Sequence, residues 1–254
     1  MTARSFLGAG KVLADIFVGG VATGNYIEFL EVGKFEIKPN SDLKEQTSKS
    51  RAQYGQIIET VAIPKPGDFT MMLREMNRDS LRLAFMASQS TLAVGSATVV
   101  DEVLIAKLGV FVPVLNKNLA AAGLVVSHTS GTPNYVLGTD YDVNYAFGLI
   151  RAIAGGAITN LQSLKVDYVA NAIAGTRLLG SVTPSVRARL LFDGVNLVDN
   201  LPARVTVWEV LLTPSGAVDL MSDNWVEVTL QGRMKTPTGK TSPFEVDLLD
   251  TIEA

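Results

Sequence analysis

Hydrophobic residues in this chain recur at every second position, and that period constrains the fold more than any other feature. Phe35 and Ile37 alternate with Lys34, Glu36 and Lys38. Phe69, Met71 and Leu73 alternate with Thr70 and Arg74. Val186, Ala188, Leu190 and Phe192 share one face, with Arg187 and Arg189 on the other; Val226, Val228 and Leu230 alternate with Glu227, Thr229 and Gln231. Successive side chains of a strand point to opposite faces. A period of two therefore predicts half-buried antiparallel strands, with one face on a core and the other toward solvent or a partner. The predicted class is mainly β, built of antiparallel strands.

One segment breaks the period. Asn77 and Asp79 are cap-type residues ahead of Leu81, Ala84, Phe85 and Ser88, whose spacing lies on one helical face. This predicts one short flanking α-helix near 78–88. Its apolar surface, with Leu81 and Phe85 as contact residues, serves either core packing or a contact between subunits.

The segment from Lys38 to Gln56 has almost no apolar residues and lies between two strand-like stretches. Connections longer than about 12–15 residues without structure of their own are usually functional or disordered. It reads either as a floppy surface loop or as an arm that orders on a neighbouring subunit. The arm residues would be Asn40, Asp42, Lys44, Glu45, Lys49, Arg51 and Tyr54. From 101 to 180 the texture changes: Gly, Ala and Asn rise and charges thin out. Turn residues between short strands there suggest a small sandwich or a strand-rich excursion. The expected organisation is a β domain of 1–100 plus 181–254, with 101–180 as a β-rich inserted module. Phe17-Val18-Gly19-Gly20 and Phe192-Asp193-Gly194-Val195 hint at a duplication, too weakly to count as a repeat.

Composition enters through what it excludes. The 254 residues are 47% apolar, enough for a buried core. Lys+Arg is 22 against Asp+Glu 25, which does not suit binding by phosphate neutralisation. No cysteine is present, so no thiol or thiolate-metal chemistry is expected, and His128 is the one histidine, which excludes a two-His metal centre. Lys11 and Asp15 interrupt the apolar run of Met1–Val21, which argues against a signal peptide. No stretch approaches ~18 uncharged apolar residues, so no membrane anchor is expected.

The motifs that would carry chemistry fail. Gly8-Ala9-Gly10-Lys11-Val12 has Ser5 where a phosphate loop needs glycine and no Ser/Thr after the lysine. Asp140, Asp142 and Asn144 imitate a calcium loop, but Tyr145 and Arg151 occupy its glycine and glutamate positions. Turn-forming acids explain them better. Ser127 and His128 are strand neighbours and face opposite ways. Asp101 with Glu102, and Asp247 with Asp250, lack a distinguishing glycosidase spacing. Aromatic residues, at 7%, do not interleave with a basic patch. No catalytic residue, metal site or cofactor is expected.

The order of features resembles the major tail tube proteins of long-tailed bacteriophages. It rests on a strand at 25–38, a long polar hairpin loop, a strand at 67–76 and the helix through Leu81 and Met86. In the last third come Arg189–Asn196, Arg204–Pro214, Asp219–Arg233 and the terminal Phe244–Val246. It covers about 1–100 and 181–254; the middle segment is similar to modules inserted in some phage virion proteins. The resemblance implies a structural virion protein whose fold is a tail-tube-like antiparallel β-sandwich with one flanking short helix. Its subunits would close homohexameric rings through a shared inner β-barrel, and the rings would stack into a tube for DNA ejection. Its partners would be copies of itself, the tape measure and tail terminator proteins and, where the tail contracts, the sheath. DNA would pass through the lumen without specific binding, and assembly would take place in the host cytoplasm. Two other readings stand beside it. One is a virion decoration or receptor-binding β protein acting through 101–180. The other is a hydrolase with a scattered site built on His128.

Overall fold

The structure is a computed structural model and describes residues 5–249. Residues 1–4 and 250–254 lie outside the described residues. With them go the first positions weighed as a leader, both ends of the expected β domain, and Asp250.

The protein is mainly β, with antiparallel sheets and, among the described residues, one short helix. It divides into two compact units, 1–89 with 178–254, and 90–177. The described part of the first unit holds β1 (Gly8–Ile16), β2 (Tyr26–Phe29), β3 (Val32–Thr47), β4 (Ile57–Leu73) and α1 (Arg78–Ala84). After the second unit it resumes with β13 (Val186–Asn196), β14 (Leu201–Pro214), β15 (Val228–Met234) and β16 (Phe244–Leu248). The strands pair in the order β2-β1-β13-β14-β15-β4-β3, with β16 on β14. The sheet forks at β14. Its first half pairs β16 from Ala203 to Val207, and its second half pairs β15 from Val210 to Pro214. The inward residues are those the period marked: Phe69, Met71 and Leu73 on β4, Ala188 and Leu190 on β13, Val228 and Leu230 on β15. Phe35 joins them, edge-on to Phe69 at 5.0 Å and stacked on Phe192 at 5.4 Å between centroids.

The second unit holds β6 (Ala97–Ile105), β7 (Phe111–Pro113), β8 (Val125–His128), β9 (Tyr141–Asn144), β10 (Leu149–Ala152) and β11 (Ser163–Ala170). Two three-stranded sheets, β7-β10-β9 and β6-β11-β8, contribute to one core around Val126, Ile150, Leu164, Val166 and Tyr168. The chain enters through β5 (Ser88–Val94) and leaves through β12 (Ile173–Leu179), which pair with each other.

Four expectations need correction. The helix ends at Ala84, not 88: Phe85 caps it, Met86 takes a left-handed φ of 48°, and Ser88 already belongs to β5. Its buried face is Ser80, Leu83 and Ala84, with Leu81 and Phe85 only half-buried. Asn77 does cap it, accepting from the backbone N–H of Asp79 and Ser80 at 2.9 Å each. The strand expected at 25–38 is two strands, parted where Leu30 donates to Glu75 and Glu31 accepts from Arg74. The polar loop at 38–56 is mostly strand: β3 runs on to Thr47 against a β4 that begins at Ile57, leaving 48–56 as the connection. An insertion boundary at 101 falls inside β6, whose pairing with β11 spans Ala97 to Ile105 across one bulge.

Candidate functional site

The paired extension of β3 and β4 is the most unusual element of the first unit. Beyond Asn40 and Lys65 the two strands pair, among the described residues, only with each other, in register from Asn40↔Lys65 to Gln46↔Glu59 and then, across a second shift, at Thr47↔Ile57. A bulge between Lys38 and Asn40 marks the root. There the Asn40 amide donates to the Asp68 carboxylate at 2.8 Å and to the Pro66 carbonyl at 3.3 Å. Asp42 lies 3.2 Å from both Lys44 and Lys65, a small ion cluster across the two strands. The connection is folded: Ser48 donates to the Gln56 carbonyl at 2.7 Å, Gly55 donates to Ser48 at 2.9 Å, and Gly55 takes φ 84°. Lys49, Arg51 and Tyr54 project from it, all exposed.

Among the described residues, nothing in the first unit covers this arm. Every residue from 57 to 66 is exposed, as are 43–47. The exposed set includes Leu43, Ile57, Ile58, Val61 and Ile63. An isolated two-stranded hairpin is marginally stable in water, and its edges are templates for pairing. Burying those five side chains on a partner is worth about 1.5–3 kcal/mol each. That gross gain of about 10 kcal/mol is of the same order as the 4–15 kcal/mol cost of association. One arm alone is thus close to break-even, and repeated contacts among many copies would tip the balance.

All seven residues read as an arm from the sequence lie together on this element. Leu81 and Phe85 lie apart from it, on α1 and its C-cap; the Phe85 carbonyl accepts from Ser181 at 2.8 Å. Missed from the sequence were the β4 half of the arm and the exposed side chains between β14 and β15, Trp225 above all. The β-branched run Ile57-Ile58-Glu59-Thr60-Val61-Ala62-Ile63 was the available signal for the former.

The residues weighed for chemistry have structural partners. Asp140 accepts from the backbone N–H of Val136 and Ala157, 2.8 Å each, which holds its carboxyl below the usual range. Asp142 pairs with Arg151 at 2.7 Å, and Arg151 stacks on Phe111. Ser127 is buried while His128 is half-exposed, and His128 Nδ1 lies 2.9 Å from Ser130 Oγ. Tyr168 donates to Glu102 at 2.5 Å; burial, aided by Glu102, pushes its phenol up. Among the described residues no three His, Cys, Asp or Glu side chains gather as a metal site would need. A mainly apolar groove of about 560 Å³ in the first unit has Lys34 as its one charged lining residue. Among the described residues no helix is long and apolar enough to cross a membrane.

Residues 5–243 match one protein family, described as Protein of unknown function UCP028589. The chain belongs to that family. No curated protein matches it. The family match spans both units and the whole arm and stops just short of β16.

Proposed function

We propose that this chain is a structural subunit of a bacteriophage tail tube, a tail-tube-like β-sandwich that closes into rings with copies of itself. The rings stack into a conduit for DNA, and the chain carries out no catalysis. The reading rests on the arm, a paired ribbon with five large apolar side chains exposed and nothing among the described residues of its own unit to cover them. The sheet adds to it. Among the described residues β3 and β16 each pair along one side only, so edges remain for a neighbour. A head-to-tail contact that uses different patches on the two partners closes a ring or continues as a filament. A formal net charge of −3 suits a lumen that DNA must cross without sticking.

Negative-stain microscopy of the purified chain tests this. Rings or tubes of uniform width are expected; a chain that stays monomeric at high concentration overturns the proposal. Replacing 41–64 by Asn-Gly joins Asn40 to Lys65 through a two-residue hairpin turn. That variant is expected to keep its urea midpoint and lose assembly, since the core contains no residue from 41–64.

A further inference from the structure

The connection between β14 and β15, residues 215–227, exposes Leu220 (70%), Met221 (93%) and Trp225 (94%). It is nonetheless a folded loop. Val218 packs on the core, and Ser215 donates to the Thr229 carbonyl at 2.9 Å. Glu227 pairs with Arg74 at 2.9 Å. The Asp219 carboxylate accepts from Met221 N–H at 2.9 Å, and the Ser222 hydroxyl accepts from Asn224 N–H at 3.1 Å. An ordered loop that holds a tryptophan and a methionine in water offers a contact surface.

Its charge is one-sided. Residues 215–227 carry Asp219, Asp223 and Glu227 and no Lys or Arg. The tip of the arm, 48–56, is the reverse, carrying Lys49 and Arg51 and no acid, with Tyr54 78% exposed between them and the β4 strand. The register sets these two surfaces at opposite ends of the same strands. Val228, Leu73 and Val32 align at the loop end, and Arg233, Asp68 and Lys38 align at the arm end. From Val32 the tip lies fifteen strand steps on, about 50 Å at 3.3 Å per residue. An arm thus runs away from the loop of its own copy, so the two surfaces are free to meet only between copies.

We propose that the basic tip of one copy's arm docks on the acidic, apolar 215–227 loop of the next copy. Lys49 and Arg51 meet Asp219 and Asp223, and Trp225 takes Arg51 or Tyr54 against its ring face. Because donor and acceptor surfaces differ, the contact is head-to-tail and sets the polarity of stacking. This inference rests on the self-assembly reading and names the surface that the arm meets.

Charge reversal in the full-length chain tests it. Lys49→Glu with Arg51→Glu, or Asp219→Lys with Asp223→Lys, is expected to raise the concentration needed for assembly by about tenfold or more. The four-substitution protein is expected to return toward the wild-type concentration. Trp225→Ala weakens assembly in either charge background. The milder Lys49→Ser with Arg51→Ser shifts assembly the same way by less, and all of these positions are exposed, so far-UV circular dichroism should be unchanged. Reversed variants that assemble at the wild-type concentration, or a four-substitution protein no better than either two-substitution variant, overturn the docking alone. A wild-type chain that never assembles overturns the self-assembly reading beneath it.

Discussion

Asp15 lies fully buried on β1, where the sequence offered it only as a charge interrupting an apolar run. Burial works against its charge. Thr23 Oγ donates to it at 2.6 Å, and the backbone N–H groups of Thr23 and Gly24 donate at 3.0 Å each. The donors outweigh desolvation, and its carboxyl is held below the usual range. The carboxylate thereby ties the turn between β1 and β2 to the core. A group whose folded pKa is lowered contributes fully above its unfolded value, about 4, and loses that contribution as pH falls through the folded value. Asp15→Asn is expected to cost about 2 kcal/mol at pH 7, the scale of hydrogen bonds to a charged group. Urea midpoints of the two proteins, separated at pH 7, should converge below pH 4. A gap that persists unchanged at pH 2 would falsify the account. This role was not legible in the sequence, because its donors lie eight and nine residues on, in a Thr-Gly turn with no recognisable motif.

β14 is the element on which the first unit depends. It pairs with β13 along one side and with both β16 and β15 along the other. Its seam with β15 is closed by Gly232, where a Cβ would lie 2.0 Å from the Leu211 carbonyl oxygen and 2.8 Å from its carbon. Those are backbone atoms and cannot swing aside. Gly232→Ala is therefore expected to destabilise the unit by about 3 kcal/mol. Both tryptophans, Trp208 and Trp225, lie in this unit, so intrinsic fluorescence during urea unfolding reads it directly. A midpoint unchanged from wild type would refute the close approach. How far elements were legible follows from burial. β13 and β15 each have one face on the core, so Ala188, Leu190, Val228 and Leu230 carry a clean alternation. The arm has no buried face, so its β3 half reads Ser41-Asp42-Leu43-Lys44-Glu45-Gln46-Thr47, a pattern indistinguishable from a loop. The helix start was legible through Asn77, a local hydrogen-bonding signal. Its end was not, because Met86 turns left-handed without a glycine to announce it.

At the scale of the whole molecule, the described residues form two cores that share no residue. The first draws only on residues 12–84 and 186–244, and the second only on 97–170. The sequence indicated a change of texture in the middle of the chain, yet β6 still alternates on one face, so the edge of the unit had no sharp mark. The arm, the forked sheet and the 215–227 loop all belong to the first unit, as does every surface assigned to assembly here. On the proposed reading the second unit is expected to be dispensable for assembly and free to carry another role. Joining Val94 to Ile173 through about six Gly/Ser residues removes it while keeping β5 and β12. The shortened protein is expected to fold, because no side chain of the first core is lost, and to assemble at the concentration the full chain requires. Electron microscopy of the two proteins side by side, with sedimentation to compare assembled fractions, decides this. Assembly that fails in a shortened chain whose tryptophan fluorescence still shows a cooperative urea transition would assign a subunit contact to 95–172, and the division of labour between the units would fall.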